Sequence, residues 1–444
     1  MANFNDPLEP GSHDEFKNVR RLPIKKKPGP NGASSGIKQA KLERMALGFP
    51  DMTETGKIRN TCNNARHAIN KMGITCEYDK FHDKLIIGGQ TIGQYAGELS
   101  DHACLVLRKM IEEAYEFDPG REKMFDACVQ LCLEHSYDPV IQYLDSLKWD
   151  GIKRLDRWAV TYLGANDTPL NHAIGRIALV AQVRRAKHPG CKFDQIIVME
   201  SPEGHLKSTA LSVLAGAPEN FSDQTILGKA DKEQQELLRG VWVYEIADLS
   251  NIVKSEVEHV KAFASRTHDR ARPAYGRARE DLPRRCVIWA TTNNTAYLKS
   301  QTGNRRFWPF SVGEIDIKAL KRDRDQLLAE AVELEKTGIS IVLARDLWSV
   351  AAVEQEQRRE VDPWEDVLRN CKGSFAAGEY RVLTEDLLTI ELAIPKERQT
   401  FQHTKRVGDC MRLLGWRGPK QIRVGGRNGR GYWRTEVKED TGAA

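Results

Sequence analysis

The chain has 444 residues, 40% hydrophobic and 29% charged, with a net charge of +5; this is the balance of a soluble globular protein of about two to four domains. No apolar run approaches the roughly 18 residues of a transmembrane helix, and the opening Met1-Ala2-Asn3-Phe4 begins no signal-peptide core, so no membrane span is expected and a cytoplasmic setting is. Nine cysteines scattered without framework spacing agree with a reducing compartment.

Residues 1–50 are basic and rich in Pro, Gly and Ser, which predicts a flexible tail, either a solvated linker or an electrostatic arm. Residues 51–155 read as a mainly helical domain with a hairpin-like piece at Cys76–Ile87. Within it, Cys128, Cys132 and His135 have helical spacing, but a fourth ligand is missing and a core helix is the better reading than a metal site. From 156 to 340 short apolar runs alternate with helical stretches: a helix at Leu170–Lys187, strands at Gln195–Met199, Val241–Tyr244 and Val287–Ala290, and a closing helix at 318–336. That alternation is the grammar of a parallel sheet with crossover helices, an α/β fold. A polar stretch at 341–362 reads as a linker, and 363–444 reads as two helices followed by an arginine-loaded strand, glycine turn and strand, a winged-helix-like domain.

The most informative segment is Glu200-Ser201-Pro202-Glu203-Gly204-His205-Leu206-Lys207-Ser208-Thr209, an apolar strand running through a tight turn into a helix. In a phosphate loop the amides of Glu203, Gly204, His205, Leu206, Lys207, Ser208 and Thr209 wrap a polyphosphate, Lys207 reaches the outer phosphates and Ser208 holds Mg²⁺. The pattern G-x-x-x-x-G-K-[ST] expects glycine where Ser201 and Leu206 stand, and a nest of amides needs positive φ, which Leu tolerates poorly. An ordinary strand-to-helix turn is the alternative.

Downstream, Val241-Trp242-Val243-Tyr244 runs into Glu245, a candidate to orient or activate water, with Asp248 placed to assist the metal; either acid could instead cap a helix. Asn293, after a third strand, suits sensing of the γ-phosphate, although Thr291-Thr292-Asn293-Asn294 is also turn-like. Arg305 or Arg306 could act across a subunit boundary as an arginine finger, or both could form an exposed basic spot. Lys261, Arg266, Arg270, Arg272, Tyr275, Arg277 and Arg279 surround a Pro/Gly turn with little neutralising acid, the composition of a loop that contacts single-stranded DNA. In the C-terminal unit, Lys405, Arg406, Arg423, Arg427 and Arg430 are the corresponding DNA candidates.

Taken in order, these motifs resemble the virulence-associated protein E family, P-loop proteins of phages, prophages and mobile islands that are similar to superfamily III helicases. The resemblance spans roughly residues 140–335. It also rests on Trp149-Asp150-Gly151, Pro189-Gly190-Cys191-Lys192, Glu245-Ile246-Ala247-Asp248-Leu249, Lys261-Ala262-Phe263, Arg272-Pro273-Ala274-Tyr275-Gly276-Arg277, Thr291-Thr292-Asn293 and Gly303-Asn304-Arg305-Arg306-Phe307-Trp308-Pro309. Family members carry glycine where Ser201 and Leu206 stand, so this chain departs at the residues most tied to nucleotide affinity. The resemblance implies an AAA-like P-loop NTPase core that hydrolyses ATP with Mg²⁺, and a homo-oligomeric, hexameric ring on single-stranded or forked DNA. It further implies work in phage or mobile-element replication inside a bacterial host, with other replication proteins as potential partners. The competing expectation is a DNA-binding replication or regulatory factor whose nucleotide site is degraded or serves only as a switch.

Overall fold

The computed structural model describes residues 48–271, 280–299, 303–376 and 378–435. The chain divides into two units after Ser146, earlier than the boundary expected at 155.

The first unit combines four helices with a small sheet. Its helices are α1 (Cys62–Lys71), α2 (Asp101–Tyr115), α3 (Arg121–Glu134) and α4 (Pro139–Ser146). They accompany four short strands, β1 (Thr75–Asp79), β2 (Lys84–Gly88), β3 (Gly97–Glu98) and β4 (Ser136–Tyr137), in the order β3-β2-β1-β4. β3 and β4, at two residues each, are too short to leave a period-2 signature in the sequence. Thr61 and Ser100 cap α1 and α2 by accepting the amides of Asn64 and Ala103. Cys128 and Cys132 of α3 lie in the apolar core with Cys76 and Cys104, whereas His135 is exposed, and no metal-holding cluster occurs among the described residues.

The second unit is built on a five-stranded parallel sheet. In chain order its elements are α5 (Trp158–Leu163), α6 (Pro169–Lys187), β5 (Ile196–Glu200), α7 (Lys207–Ala215), β6 (Phe221–Ser222), α8 (Asp231–Leu238), β7 (Val243–Ile246) and α9 (Lys254–Ser265). There follow an antiparallel hairpin of β8 (His268–Ala271) and β9 (Glu280–Pro283), then β10 (Val287–Thr292), β11 (Phe307–Ser311) and α10 (Ile317–Lys336). The strands lie in the order β11-β5-β10-β7-β6, each neighbouring pair parallel. β5, β7 and β10 are buried along their whole length, which explains why they read as continuous apolar runs without alternation. α6, capped by Thr168 with proline in its first turn, is buried nearly all round, and Arg185 ties it to the sheet by donating to the carbonyls of Cys286 and Phe193.

The stretch expected to be a linker folds. Residues 348–357 form α11 (Trp348–Gln357), and the Gln355 amide donates to the Phe307 carbonyl at 3.0 Å. Beyond it come α12 (Pro363–Arg369), β12 (Ser374–Ala376), β13 (Glu379–Leu383), a short helical turn at 384–391, α13 (Phe401–Leu413), and the ribbon β14 (Arg417–Val424) and β15 (Arg427–Thr435). The last four strands form an antiparallel sheet in the order β12-β13-β15-β14. Among the described residues no helix is long and apolar enough to cross a membrane.

Candidate functional site

The carboxyl ends of β5, β10 and β7, three adjacent parallel strands, bring together the residues that the sequence scatters over almost a hundred positions. Such an edge is where open α/β sheets bind ligands, because the helices that follow begin there and aim their free amides outward.

The turn 201–206 leaves β5 and enters α7 through two residues of positive φ, Gly204 at +84° and Leu206 at +57°. Leu206 therefore adopts the left-handed conformation that its side chain disfavours, and it does so with the side chain 52% exposed. The glycine geometry of the turn is retained without the glycine. His205 is fixed by a contact of Nδ1 with the Gly313 carbonyl at 3.0 Å, while Glu203 and Thr209 are exposed.

Lys207, the first residue of α7, folds back over the turn. Its Nζ donates to the Ser201 carbonyl (2.7 Å), Ser201 Oγ (3.1 Å), the Pro202 carbonyl (3.1 Å) and Asn293 Oδ1 (2.9 Å). Burial pulls the ammonium below its usual pKa, against the opposing charges of Glu245, Glu203 and Asp248. Ser201 thus supplies a hydroxyl to the lysine where a glycine could not. Ser208 Oγ donates to Glu245 Oε1 at 2.8 Å, and Thr291 Oγ1 donates to the same oxygen at 2.6 Å.

Glu245 lies inside β7 and not beyond its end, fully buried, and burial pushes its carboxyl pKa up against the two hydroxyl hydrogen bonds. Its other oxygen, Oε2, is buried with no hydrogen-bond partner. A buried carboxylate oxygen without a donor is costly unless something polar completes it. Thr291 is the member that sequence reasoning missed; its only signal was its position two residues before Asn293 at the end of a buried strand.

Other candidates separate. Asp248 adopts positive φ and accepts from Ser250 Oγ and the Asn251 side-chain amide, which closes a local turn. Arg306 donates to Ser265 Oγ at 3.1 Å and pairs with Asp194 at 3.4 Å, whereas Arg305 is exposed and pairs with no described acid.

Among the DNA candidates, Lys261 is a correction. It sits on the inward face of α9 beside Val257, Val260 and Ala264, its side chain only 5% exposed and its ammonium 3.0 Å from Glu258, so it cannot line an exposed strand-contacting surface. Arg266 pairs with Asp231, and Arg270 with Asp281 across the β8–β9 hairpin. Arg272, Tyr275, Arg277 and Arg279 fall between the strands of that hairpin, outside the described residues. The hairpin base is anchored by a buried pair in which Arg284 Nε donates to Asp269 Oδ2 at 2.9 Å, the guanidinium lying 4.1 Å from the Phe263 ring centre. In the C-terminal part Lys405, Arg423 and Arg430 are exposed, Arg427 pairs with Asp386, and Arg406 is held by Asp362 and stacked on Trp364.

The parallel sheet and the polar cluster at its carboxyl edge define an α/β domain with one compact candidate site. Residues 144–360, which contain all of that site, match the model of the virulence-associated protein E-like domain, and this part of the chain is a domain of that family. The apo structure of the NrS-1 C-terminal region is similar at a TM-score of 0.48 and 10% identity, covering 83% of this chain and 98% of that one. Two A-form apo structures of the NrS-1 C-terminal region give TM-scores of 0.44 and 0.45 at 11% and 10% identity, covering 84% and 83% of this chain and 99% and 98% of those chains. No curated protein matches the chain.

Proposed function

We propose that the chain is an ATP- and Mg²⁺-dependent DNA motor of helicase type, serving replication of a phage or mobile element in the bacterial cytoplasm. The observation that carries this reading is the convergence of Lys207, Ser208, Glu245 and Asn293 on one sheet edge, with Glu245 Oε2 buried and unpartnered. The donor set fits a nucleotide and a hard cation: backbone amides at a helix start, an ammonium, a hydroxyl, and a carboxylate oxygen with spare capacity.

In this reading the turn 203–209 wraps the phosphates and Lys207 exchanges its four internal acceptors for phosphate oxygens. Ser208, which donates to Glu245 here, would hold Mg²⁺, and the ion would neutralise charge on the phosphates. Glu245, still held at Oε1 by Thr291 and open at Oε2, orients the attacking water and accepts its proton, and a raised pKa suits that task. Asn293 leaves Lys207 and holds the outer phosphate or the water. Arg305, exposed and unpaired among the described residues, is the better finger for a neighbouring subunit in a homo-oligomeric, hexamer-like ring; Arg306 braces its loop. The β8–β9 hairpin would carry its arginines to a DNA strand. The order α12, β13, short helix, α13 and the β14–β15 ribbon supports a winged helix whose wing presents Arg423 and Arg430.

The test is ATP turnover by the full chain, with and without single-stranded DNA, beside Lys207→Ala. Turnover stimulated by DNA and lost in the variant supports the proposal, and unwinding of a forked duplex supports its helicase part. One observation favours a second reading, a DNA-binding factor with a switch-like or degraded site: Lys207 is satisfied by its own turn and by Asn293, and must give up four acceptors to bind phosphate. Nucleotide binding without turnover would support the switch, and absence of binding would support the degraded site.

A further inference from the structure

Glu200, the last residue of β5, feeds the turn that holds Lys207, and it is 7% exposed. Tyr297 Oη donates to its Oε1 at 2.5 Å and Ser311 Oγ to its Oε2 at 2.8 Å. Arg358, just past α11, grips both oxygens, Nε to Oε1 at 2.6 Å and Nη2 to Oε2 at 2.9 Å. The Arg358 carbonyl also accepts the amides of Tyr297 and Leu298 at 3.1 and 3.0 Å, on the segment that follows Asn293. One residue from outside the sheet thus fastens both strands of backbone that enter the candidate site, the one before the turn and the one after Asn293.

The next residue pulls the other way. Arg359 Nη1 and Nη2 donate to Glu365 Oε1 and Oε2 at 2.6 and 2.9 Å, and Glu365 is 2% exposed within α12. Three residues after Arg359, Asp362 caps α12 through the Trp364 amide and receives Arg406 Nε and Nη2 of α13 at 2.8 and 2.7 Å. A planar guanidinium that meets a carboxylate with two parallel bonds resists rotation as well as separation. Residues 358–365 are therefore anchored at one end to the strand that enters the phosphate turn and at the other to the two helices of the C-terminal part.

We infer that residues 358–365 are a coupling strap: Arg358 is a positioning residue for the turn 201–206, and the Arg359–Glu365 pair passes displacement of α12 and α13 to it. The inference rests on the proposed nucleotide site and goes beyond it, since it states how DNA held by the C-terminal part alters nucleotide affinity. Coupling is reciprocal, so nucleotide must alter DNA affinity by the same factor.

The experiment measures the Kd of the full chain for a fluorescent non-hydrolysable ATP analogue with Mg²⁺, alone and with a saturating single-stranded oligonucleotide. Both members of each pair are replaced together, so that no buried charge is stranded: Arg358→Met with Glu200→Leu, and Arg359→Met with Glu365→Leu. In the wild type DNA shifts the analogue Kd by about 5-fold or more. The second double variant keeps the DNA-free Kd and still binds the oligonucleotide, but the shift disappears. The first weakens the DNA-free Kd itself by about tenfold, and Arg358→Lys, which keeps the charge and loses the fork, falls between. A pair that only held the fold together would change the melting temperature and leave both Kd values alone, which overturns the strap. Wild-type binding that ignores DNA overturns the coupling while sparing the nucleotide site; a wild type that binds no analogue overturns the site and the strap with it.

Discussion

Leu206 is where the candidate site is most open to a decisive test. At φ +57° and ψ +27° an L-residue loses about 1–2 kcal/mol relative to its right-handed conformations, a penalty glycine escapes. Glycine loses about 0.5–1 kcal/mol more conformational entropy than alanine on folding, so at this position Leu206→Gly should be more stable than Leu206→Ala by about 0.5–1 kcal/mol. Both variants lose the same half-exposed Leu side chain, worth about 1 kcal/mol, so that contribution cancels between them. The order is the reverse of the ranking inside a helix, where alanine wins. Thermal melting of the two variants side by side reads the difference as about 1–2 °C in favour of glycine. An alanine variant that melts level with or above the glycine variant would mean that residue 206 is not left-handed in solution, and the preformed turn on which the site depends would have to be given up.

Three further outcomes follow from the same geometry. Burial raises the Glu245 pKa above its unfolded value, so its contribution to stability is full below the unfolded pKa and is lost as pH rises through the folded one; Glu245→Gln should match the wild type near pH 4 in melting experiments and become relatively more stable towards neutrality, while turnover falls by about 10²-fold or more. A wild-type advantage that grows with pH would refute this. Arg305→Ala should melt within about 0.5 kcal/mol of the wild type and bind nucleotide, yet turn over slowly, whereas Arg306→Ala should lose stability because it releases Ser265 and Asp194; mixing Arg305→Ala with Lys207→Ala subunits should restore part of the activity, and unimpaired turnover in Arg305→Ala removes the finger. Neutralising Arg423 or Arg430 should reduce the salt slope of DNA affinity by about 1 each, and Arg427, already paired with Asp386, should change it less; equal effects at all three positions would show that the Asp386 pair does not persist in solution.

What the sequence made legible, and what it hid, divides along the range of the interaction. Continuous apolar runs disclosed the parallel strands because burial on both faces is written locally, residue by residue. The pairing of Lys207 with Asn293 could be anticipated because each follows a strand, and parallel neighbours put such ends side by side. Lys261 misled because a basic residue in a basic stretch looks solvated; only the turn of α9 reveals that it points inward with Val257 and Ala264. Residues 341–362 misled for the opposite reason: their polarity suggested a linker, yet the charged end of that stretch is what the fold buries, Arg358 on Glu200 across 158 positions and Arg359 on Glu365. A buried ion pair has no periodicity and no spacing rule, so a polar residue destined for one cannot be told from a surface residue until its partner is known. Glu200 carries the same ambiguity, reading as the polar end of a strand when it is the point where the fold closes on its candidate site. Stranding one member of such a pair costs about 3–5 kcal/mol, far more than an exposed pair. The least readable positions of this chain are therefore among those on which the geometry of the turn most depends.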